Sequence, residues 1–580
     1  MTASIHLESG HLKSDHVRLT QPKSAAQPTD RLPDRPAVLA IGGSDSAGMA
    51  GIQADLRTIH ALGGHALMAL TAVTAQHSGA VLGVNPVTDD VLRQQLEAVR
   101  PLSPQAIKIG LLVTTEQVRI CARFIAGLDG VPVVVDPVFA SSSGHLMVEP
   151  TVVKAIREEL LPLCTLITPN RDEAAQLLDG PLMADPAARA RQARQWREAL
   201  PQPESGSVAA LLLKGGHWQD GYSSDYFCDS AHSFWLTSPR SDTRHQRGTG
   251  CTLASASATA LAMGYSLADA VVIGKMTVNQ GLRQGYGVSP EAALQTGAHQ
   301  TDSWHTSSLQ TGALHTGPLQ ISGFPSDGRD LPWLSAEPFL SATDQGRTED
   351  EGRPDTATPS FPDCGPDPLG LYPVVDRAHW LDTLLPAGVS TIQLRVKDLD
   401  GTALREELAR GIESARRYGA RLFINDYWKL AIELGAYGVH LGQEDLDTAD
   451  LEAIRAAGLR LGISTHCHYE VARAVRYRPS YLACGPVYPT TSKDMPWRPH
   501  GPEGLTYWRE VLRDYPLVAI GGINRERLAA ISAVGPDGIA MITGLTLAAD
   551  PVDTAQEFMA IMATHAPDSP RSTPLREALS

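Results

Sequence analysis

Apolar and polar positions alternate along the chain in two series, and the first series lies between residues 37 and 286. Short apolar runs in this series alternate with stretches in which apolar residues recur at helical spacing. The apolar runs fall at 37–41, 66–73, 106–109, 131–135, 163–167 and 209–213, and the helical stretches include 89–99, 115–125 and 151–161. Alternating strands and helices form a parallel sheet covered by helices, so this series predicts an α/β domain with ligands at the strands' carboxyl ends.

The second series lies between residues 369 and 563 and is more regular than the first. Each apolar run in it is followed by a helical pattern. The runs fall at 371–375, 391–394, 422–424, 438–441, 460–463, 481–484, 517–520 and 538–542. Eight strand–helix units at this spacing predict a (β/α)8 TIM barrel, with its site on the carboxyl-terminal face.

Three segments lack this periodicity. Residues 292–368 are rich in Pro, Gly, Ser, Thr, Gln and His, which predicts a flexible linker of low complexity. Residues 1–35 are polar and predict a disordered tail, and residues 566–580 predict a polar carboxyl-terminal tail. The predicted domains therefore span residues 36–291 and 369–565.

Composition and charge narrow the classes of function. The chain has 580 residues, seven cysteines and a formal net charge of −15. The acidic charge argues against nucleic-acid binding and against a basic membrane-binding patch, and no apolar run is long enough to span a bilayer. The cysteines lack the spacing of a disulfide framework or a zinc site. We expect a cytoplasmic protein with small-molecule partners and neither a nucleic-acid nor a membrane partner; homo-oligomer formation through either domain stays open.

A glycine-rich turn before a run of small residues is the first candidate for chemistry. Gly248, Thr249, Gly250 and Cys251 form this turn. The free N–H groups at the start of a helix bind phosphoryl oxygens, and the same position lowers the pKa of a thiol. The pattern predicts an anion-binding turn in which the Cys251 thiolate accepts a proton. The alternative is a structural turn that leads into a helix with a buried cysteine.

Five further motifs follow strands of the first series in order. They are Gly-Gly-Ser-Asp at 42–45, Lys-Ile-Gly at 108–110, Asp-Pro-Val at 136–138, Thr-Pro-Asn at 168–170 and Leu-Lys-Gly-Gly-His at 213–217. Together with the turn that contains Cys251, they resemble the hydroxymethylpyrimidine/phosphomethylpyrimidine kinases, which have a ribokinase-like α/β sandwich. In the sequence His245-Gln246-Arg247, the chain departs from the family pattern before the turn.

That resemblance implies a role for each residue of a kinase site. Cys251 would accept the proton of the substrate hydroxyl, and the Gly248 and Gly250 amides would stabilise the phosphoryl group. ATP and its Mg²⁺ would bind Asn170, Glu173, Lys214 and Thr249, and the pyrimidine would bind Gly43, Asp55, Gln76 and Val138. A pyridoxal-type kinase is the alternative on the same fold.

Polar residues also cluster after strands of the second series. Gln393, Arg395 and Lys397 alternate along one strand end and so face the same side. Asp426 and Asp445 follow the next two strands and offer the carboxylate oxygens that Mg²⁺ prefers. Arginine and lysine beside Mg²⁺ suit a diphosphate, although Arg395 also fits a structural ion pair.

With Gly485-Pro-Val-Tyr-Pro-Thr-Thr-Ser-Lys493 and Ile520-Gly-Gly-Ile523, this cluster resembles the thiamine-phosphate synthases. The resemblance implies that Mg²⁺ binds Asp426 and Asp445. It implies that the pyrimidine diphosphate binds Gln393, Arg395, Lys397, Asn425, Ser464 and Lys493. The thiazole phosphate would bind Thr490, Thr491, Ser492, Gly522, Ile542 and Thr543. Val396 stands where the family often has glutamate, and Thr543 where it often has serine. A thiazole tautomerase-like barrel is the alternative.

The product of the first predicted activity is a substrate of the second. We therefore expect a bifunctional enzyme of thiamine biosynthesis, which converts 4-amino-5-hydroxymethyl-2-methylpyrimidine to its diphosphate in two ATP-dependent steps. It then condenses the diphosphate with 4-methyl-5-(2-phosphoethyl)thiazole. A binding module without activity would have lost site residues that are present here. A flexible linker would fix no geometry between the two sites, so we expect the intermediate to diffuse freely.

Overall fold

A ten-stranded sheet and a closed eight-stranded barrel follow one another along the chain in the computed structural model. The structure describes residues 35–77, 80–140, 146–178, 180–200, 208–215, 221–288, 316–338, 359–490 and 497–567. Almost all of the predicted amino-terminal tail and residues 568–580 lie outside the described residues. Within these ranges, every helix is too short or too polar to traverse a lipid bilayer.

The sheet has a parallel centre and antiparallel edges. Its strand order is β10-β9-β8-β7-β6-β5-β4-β1-β2-β3, and the pairs from β2 through β1 and β4 to β7 are parallel. The strands are β1 (Ala37–Asp45), β2 (His65–His77), β3 (Ala80–Pro86), β4 (Ala106–Ile109), β5 (Val133–Val135), β6 (Leu166–Ile167), β7 (Ala210–Leu213), β8 (Tyr222–Cys228), β9 (Ser233–Pro239) and β10 (Trp333–Ser335). The central strands β5, β6 and β7 are unbroken apolar runs with every residue buried, and in β4 only Lys108 interrupts the apolar run.

Helices of this half follow the strands as predicted. They are α1 (Gly51–Ala61), α2 (Asp89–Val99), α3 (Thr115–Ala126), α4 (Pro150–Ala155), α5 (Arg171–Leu177), α6 (Pro186–Glu198), α7 (Thr249–Ala262) and α8 (Leu267–Gln284). The chain continues from α4 into a π-helical turn, Ile156–Leu160, and a short 3-10 turn, Leu161–Leu163. Side chains cap several of these helices; the Thr88 hydroxyl, for example, accepts from the backbone N–H of Val91 at the start of α2.

All eight predicted barrel strands are present and pair in parallel to close the barrel. They are β11 (Gly370–Val375), β12 (Thr391–Leu394), β13 (Arg421–Asn425), β14 (Gly438–Leu441), β15 (Arg460–Thr465), β16 (Tyr481–Cys484), β17 (Leu517–Ile520) and β18 (Gly538–Met541). The helices are α9 (His379–Leu384), α10 (Gly401–Tyr418), α11 (Trp428–Leu434), α12 (Leu451–Ala456), α13 (His468–Val475), α14 (Gly501–Val511), α15 (Arg525–Val534), α16 (Thr543–Thr546) and α17 (Pro551–His565). The α/β fold class with a TIM barrel is therefore confirmed.

Part of the predicted flexible linker is ordered, which differs from the sequence-based expectation. Residues 333–335 pair with β9 as the antiparallel edge strand β10, and Leu334 is buried. Asp330 is also buried and receives the Arg283 guanidinium at 2.6 Å. The low-complexity composition predicts flexibility here. No local pattern reveals the order, because β10 is only three residues long and depends on a partner strand distant in the sequence.

The same segment contacts both halves of the chain. The Phe324 ring centroid lies 6.0 Å from that of Tyr265, which follows α7, and 5.7 Å from that of Tyr507 in α14. Helix α13 of the barrel packs against α8 and β10. The Tyr469 backbone N–H in α13 donates to the Asp269 carboxylate in α8 at 2.9 Å. The sheet and the barrel therefore meet through defined contacts.

Candidate active sites

A cavity of about 680 Å³ opens at the carboxyl ends of the parallel strands of the sheet. The side chains and turns that line it come from motifs distant in the sequence. It brings together all eleven residues predicted for the kinase site, which are Gly43, Asp55, Gln76, Val138, Asn170, Glu173, Lys214, Gly248, Thr249, Gly250 and Cys251.

Two tight turns shape one end of this cavity. Gly248 precedes α7 with φ +88°, and a Cβ there would lie 2.4 Å from the Met49 carbonyl oxygen. A Cβ on Gly51, with φ +55°, would lie 2.4 Å from the Gly43 carbonyl oxygen. The Asp45 carboxylate accepts hydrogen bonds from backbone N–H groups of the loop between β1 and α1, and these bonds fix the path of that loop. These contacts require glycine and place the free N–H groups of α7 at the cavity.

Lys214 bridges two carboxylates inside the cavity. Its Nζ lies 2.6 Å from Asp136 Oδ1 and 3.6 Å from Glu173 Oε2. Burial raises the pKa of Glu173 to about 7, although the charge of Lys214 opposes that shift. Burial alone would lower the pKa of Lys214, but the charges of Asp136 and Glu173 outweigh it and the pKa is raised. The lysine is therefore charged and held in place.

Asn170 and Glu173 also cap helix α5. The Asn170 side chain accepts from the backbone N–H of Glu173 at 2.9 Å, and the Glu173 carboxylate accepts from the backbone N–H of Asn170 at 2.7 Å. This reciprocal capping box orients the Glu173 carboxylate toward Lys214. The structural role and the predicted nucleotide role fall on the same two side chains.

A second ion pair lies beneath Cys251. Lys108 Nζ lies 2.8 Å from Asp55 Oδ1, and both side chains are fully buried. The Ser255 hydroxyl of α7 donates to the same carboxylate at 2.8 Å. Asp55 was predicted to bind the pyrimidine, yet its carboxylate is already bonded to Lys108 and Ser255. Its role as a direct pyrimidine ligand stays a prediction.

The expectation that the Cys251 pKa is lowered is wrong. Burial raises the pKa of the thiol to about 12, although the positive charge of Lys108 opposes the shift. Asp55 and Asp136 raise it further. The helix start and the lysine suggested a thiolate, but dehydration of the sulfur outweighs both effects. In this structure Cys251 is a neutral thiol at neutral pH.

Two cavity features were not assigned roles from the sequence. Lys275 in α8 is buried and lies 2.8 Å from Asp225 Oδ2 of β8, and both line the cavity. The sequence signal that could have identified Lys275 is a single lysine within the apolar part of α8. Arg247 also lines the cavity, and its buried Nε has no hydrogen-bond partner among the described residues. The sequence signal for Arg247 is that it belongs to the segment His245-Gln246-Arg247, which departs from the pattern of the kinase family.

At the barrel mouth, the structure brings the predicted carboxylates together with Lys397. Lys397 Nζ lies 2.5 Å from Asp426 Oδ2, and Asp426 follows β13 with φ +65°. Burial raises the pKa of Asp445, and the neighbouring Asp426 charge and a hydrogen bond between the two carboxyl groups raise it further. Two adjacent carboxyl groups of this kind repel each other when ionised, which a divalent cation would relieve.

The donor set fits Mg²⁺. No group of three or more His, Cys, Asp or Glu side chains within the described ranges is arranged to hold a metal. Mg²⁺ nevertheless commonly takes one or two carboxylates and completes its shell with water and substrate phosphates. Asp426 and Asp445 supply such a pair beside a cationic side chain.

The remaining residues predicted for the pyrimidine diphosphate lie on neighbouring strands. Gln393 is in β12, Asn425 ends β13 and Ser464 is in β15, while Arg395 follows β12. Gln393 and Asn425 are buried. Lys493 lies outside the described residues.

Two loops meet where the thiazole phosphate was predicted to bind. The Tyr488 N–H donates to the Gly521 carbonyl at 3.0 Å, and Gly522 has φ +63°. A Cβ on Gly522 would lie 2.4 Å from the Pro489 carbonyl oxygen, so only glycine fits. Thr490 continues the first loop, Ile542 directly precedes α16 and Thr543 begins it. Thr491 and Ser492 lie outside the described residues.

Comparisons with known proteins divide the chain in the same way. The phosphomethylpyrimidine kinase family matches residues 45–295, and the thiamine monophosphate synthase family matches residues 371–545. A thiamine-phosphate synthase from Enterobacter sp. (strain 638) is 56% identical over 199 residues, which are 34% of this chain and 94% of that protein.

Two solved structures are similar to part of this chain. A phosphomethylpyrimidine kinase from Clostridium difficile 630 is 30% identical, covering 42% of this chain and 98% of that chain, with a TM-score of 0.36. A pyridoxal kinase from Staphylococcus aureus in complex with ADP is 26% identical, covering 50% and 95%, with a TM-score of 0.42.

The protein is thus a bifunctional transferase that combines a ribokinase-like domain with a TIM barrel. Through its barrel the chain belongs to the thiamine-phosphate synthase family, and this barrel is fused to a phosphomethylpyrimidine kinase domain. Both domains are those of thiamine biosynthesis, which favours that function over a pyridoxal-type kinase fused to a tautomerase-like barrel. Enzymes of these two families use ATP and typically Mg²⁺, and their substrates are small molecules.

Proposed function

We propose that the cavity of the sheet phosphorylates the hydroxymethylpyrimidine twice and that the barrel mouth consumes the resulting diphosphate. The observation that carries the first part is the meeting of all eleven predicted residues in one cavity. The second part rests on the contact between Lys397, Asp426 and Asp445 at the barrel mouth.

In the kinase reaction, the substrate oxygen forms a bond to the γ-phosphorus of ATP and ADP leaves. Lys214 and the free N–H groups at Gly248–Gly250 stabilise negative charge on the transferred group, because preorganised donors act strongly in a buried site. Asn170, Glu173 and Thr249 would hold the nucleotide with its Mg²⁺, which neutralises phosphate charge when bound. Gly43, Gln76 and Val138 would hold the pyrimidine.

Cys251 is the proposed acceptor of the hydroxyl proton. Its thiol is neutral in the free enzyme, so the active species is the small thiolate fraction that Lys108 stabilises. Lys108 in turn is fixed by Asp55. This arrangement predicts a kinase rate that depends on thiolate formation.

In the synthase reaction, the bond between the pyrimidine methylene carbon and the diphosphate oxygen breaks, and the thiazole nitrogen forms the new carbon–nitrogen bond. Arg395, Lys397 and Lys493 would bind the diphosphate, and Gln393, Asn425 and Ser464 would orient the pyrimidine. Mg²⁺ held by Asp426 and Asp445 would neutralise the leaving diphosphate. Gly522, Ile542 and Thr543, with Thr490, Thr491 and Ser492, would hold the thiazole phosphate.

A one-pot assay tests both halves. The full chain receives hydroxymethylpyrimidine, thiazole phosphate, ATP and Mg²⁺, and thiamine phosphate is measured. We expect product from the wild type, and from Cys251→Ala only when the pyrimidine diphosphate is supplied. Asp426→Ala should accumulate the diphosphate. Preferential phosphorylation of pyridoxal with no thiamine phosphate would overturn the proposal.

A further inference from the structure

Arg247 is a cation of the sheet cavity without a carboxylate partner among the described residues. The three lysines that line the same cavity, Lys108, Lys214 and Lys275, each lie within 2.8 Å of a carboxylate oxygen. The Arg247 guanidinium instead makes one long hydrogen bond within the described ranges, from Nη2 to the His77 carbonyl at 3.4 Å. Its Nε is buried and has no partner there. Its charge is therefore not compensated as the lysine charges are.

The surroundings of Arg247 favour an anionic ligand. Burial lowers the pKa of its guanidinium, and the charge of Asp45 opposes that shift only in part. The Asp45 carboxylate is already bonded to three backbone N–H groups of the loop between β1 and α1. Burial acts on Lys214 in the same direction, yet the carboxylates beside it raise its pKa. A partly buried cation without a counter-charge costs free energy, and a bound phosphate would offset that cost.

The backbone of Arg247 is fixed by a segment outside the kinase family match. The Arg247 N–H donates to the Gly317 carbonyl at 3.2 Å, and its carbonyl accepts from the Leu319 N–H at 3.4 Å. Both partners lie beyond residue 295, where the match to the family ends. The arginine that departs from the family pattern is thus paired with a part of the chain that the family does not include.

Cations lie at both ends of the anion-binding turn that precedes α7. At one end, a Cβ on Gly250 would lie 3.2 Å from Lys214 Nζ, on the side predicted for the nucleotide. At the other end, Arg247 reaches the carbonyl of His77, which follows Gln76 in β2. Gln76 is a residue predicted for the pyrimidine. Arg247 therefore lies on the side of the turn from which the acceptor would approach.

The two proposed phosphorylation steps differ in the charge of the acceptor. The first acceptor is a neutral hydroxyl group, whereas the second is a phosphate group with a charge of about −1.5 to −2 at pH 7. In the second step, an oxygen of that phosphate forms a bond to the γ-phosphorus of ATP. The bond from this phosphorus to the ADP oxygen breaks, and ADP leaves with the electron pair. Two anionic groups must approach each other in this step alone, and a cation on the acceptor side reduces their repulsion.

We propose that Arg247 binds the phosphate group of the pyrimidine monophosphate and thereby permits the second phosphorylation. The inference rests on the proposed function of the sheet cavity and deepens it, because it assigns the acceptor phosphate of one step to one side chain. Arginine suits this ligand, since its planar guanidinium can donate two parallel hydrogen bonds to phosphate oxygens.

The test compares the two steps in full-length Arg247→Gln. Initial rates are measured by chromatography with ATP and either hydroxymethylpyrimidine or its monophosphate as the supplied acceptor. The loss of kcat/KM should be about 10–100-fold larger for the monophosphate, because a charge-assisted hydrogen bond is lost in that step only. Arg247→Lys keeps the charge and should recover part of the loss. Both steps are measured on one sample, so any loss of folded enzyme cancels in the ratio.

Arg244→Gln is the matched control, because it removes the same charge from an exposed arginine that also lines the cavity. It should change the ratio of the two kcat/KM values less than about twofold, since water and salt screen an exposed charge. An equal effect of Arg244→Gln would overturn the inference, as would an equal loss in both steps or a higher KM for ATP in Arg247→Gln. A wild type that phosphorylates neither acceptor would instead overturn the proposed function, so the two failures are distinct.

Discussion

The two sites of this protein handle charge in opposite ways. In the sheet cavity, Lys108 and Asp55 are sealed from solvent, and Lys214 has a side chain 14% exposed. At the barrel mouth, the Lys397 side chain is 50% exposed and Asp426 is 26% exposed. The kinase charges are therefore paired and dehydrated before any substrate binds, whereas the synthase charges remain at a hydrated rim.

This difference shows where each site depends on its fold. Buried charges interact strongly but must be paired, because an uncompensated charge in the interior is costly. Exposed pairs are screened by water and contribute little to stability. Changes in the cavity should therefore affect activity and folding together, and changes at the rim should separate them.

The largest expected effect is on the kinase rate of Cys251→Ala. Loss of a positioned proton acceptor should slow phosphorylation by about 10²–10⁴-fold. The synthase rate measured with supplied pyrimidine diphosphate should be unaltered. Cys121→Ala, which changes a buried cysteine in α3 away from the cavity, is the control and should retain the kinase rate.

The pH dependence of the kinase rate distinguishes this role from a packing role. Since the pKa of the thiol is about 12, the thiolate fraction rises about tenfold per pH unit below that value, and the wild-type rate should rise with it. Cys251→Asp provides a base with a lower intrinsic pKa than a thiol, so the rise of the kinase rate should move to lower pH. A wild-type profile that is already flat would contradict proton transfer to Cys251.

The next effect concerns the buried pair beneath the cavity. Lys108→Met leaves Asp55 buried with only the Ser255 hydroxyl as partner, so the free energy of unfolding should fall by about 3–5 kcal/mol. Urea unfolding monitored by circular dichroism measures this change. Lys108→Met with Asp55→Leu should recover most of the loss, and no recovery would show that the lysine acts by packing alone.

A smaller effect should appear on acidification. Burial lowers the pKa values of His440 and His468 from 6.5 to about 4. Below pH 6.5 the unfolded chain binds a proton at each of these histidines, whereas the folded chain does not do so until about pH 4. The free energy of unfolding is therefore unaffected by these histidines above pH 6.5 and falls as the pH is lowered toward 4. Each histidine accounts for at most about 3 kcal/mol. Unfolding curves at pH 7, 6 and 5 should be less pH-dependent in His468→Asn, and an equal slope would contradict this assignment.

Much of the fold could be predicted because its strands carry local signals. Each barrel strand is an apolar run followed by a helical pattern, and all eight lie where the pattern placed them. Strands β8 and β9 were not predicted, because they pair antiparallel at the edge of the sheet and mix polar with apolar residues. Strand β10 has only three residues and depends on β9, so no local pattern marks it.

The candidate sites could be predicted where their residues follow the end of a strand. Asp136 and Lys214 come directly after apolar runs and Asn170 follows three residues after one, and parallel strands bring such positions to one edge. The pKa of Cys251 was not predictable, since burial by distant elements reverses the local tendency of a helix start.

The smallest expected effect on stability is at the rim and tests the comparison most directly. Lys397→Met removes the partner of Asp426, just as Lys108→Met removes the partner of Asp55. Because both rim groups are hydrated, the free energy of unfolding should change by less than about 1 kcal/mol. KM for the pyrimidine diphosphate should nevertheless rise, since a cation that would bind the diphosphate is lost. Urea unfolding and synthase kinetics on the same sample give both numbers. A loss of stability comparable to that of Lys108→Met would mean that the two sites do not differ as their exposure indicates.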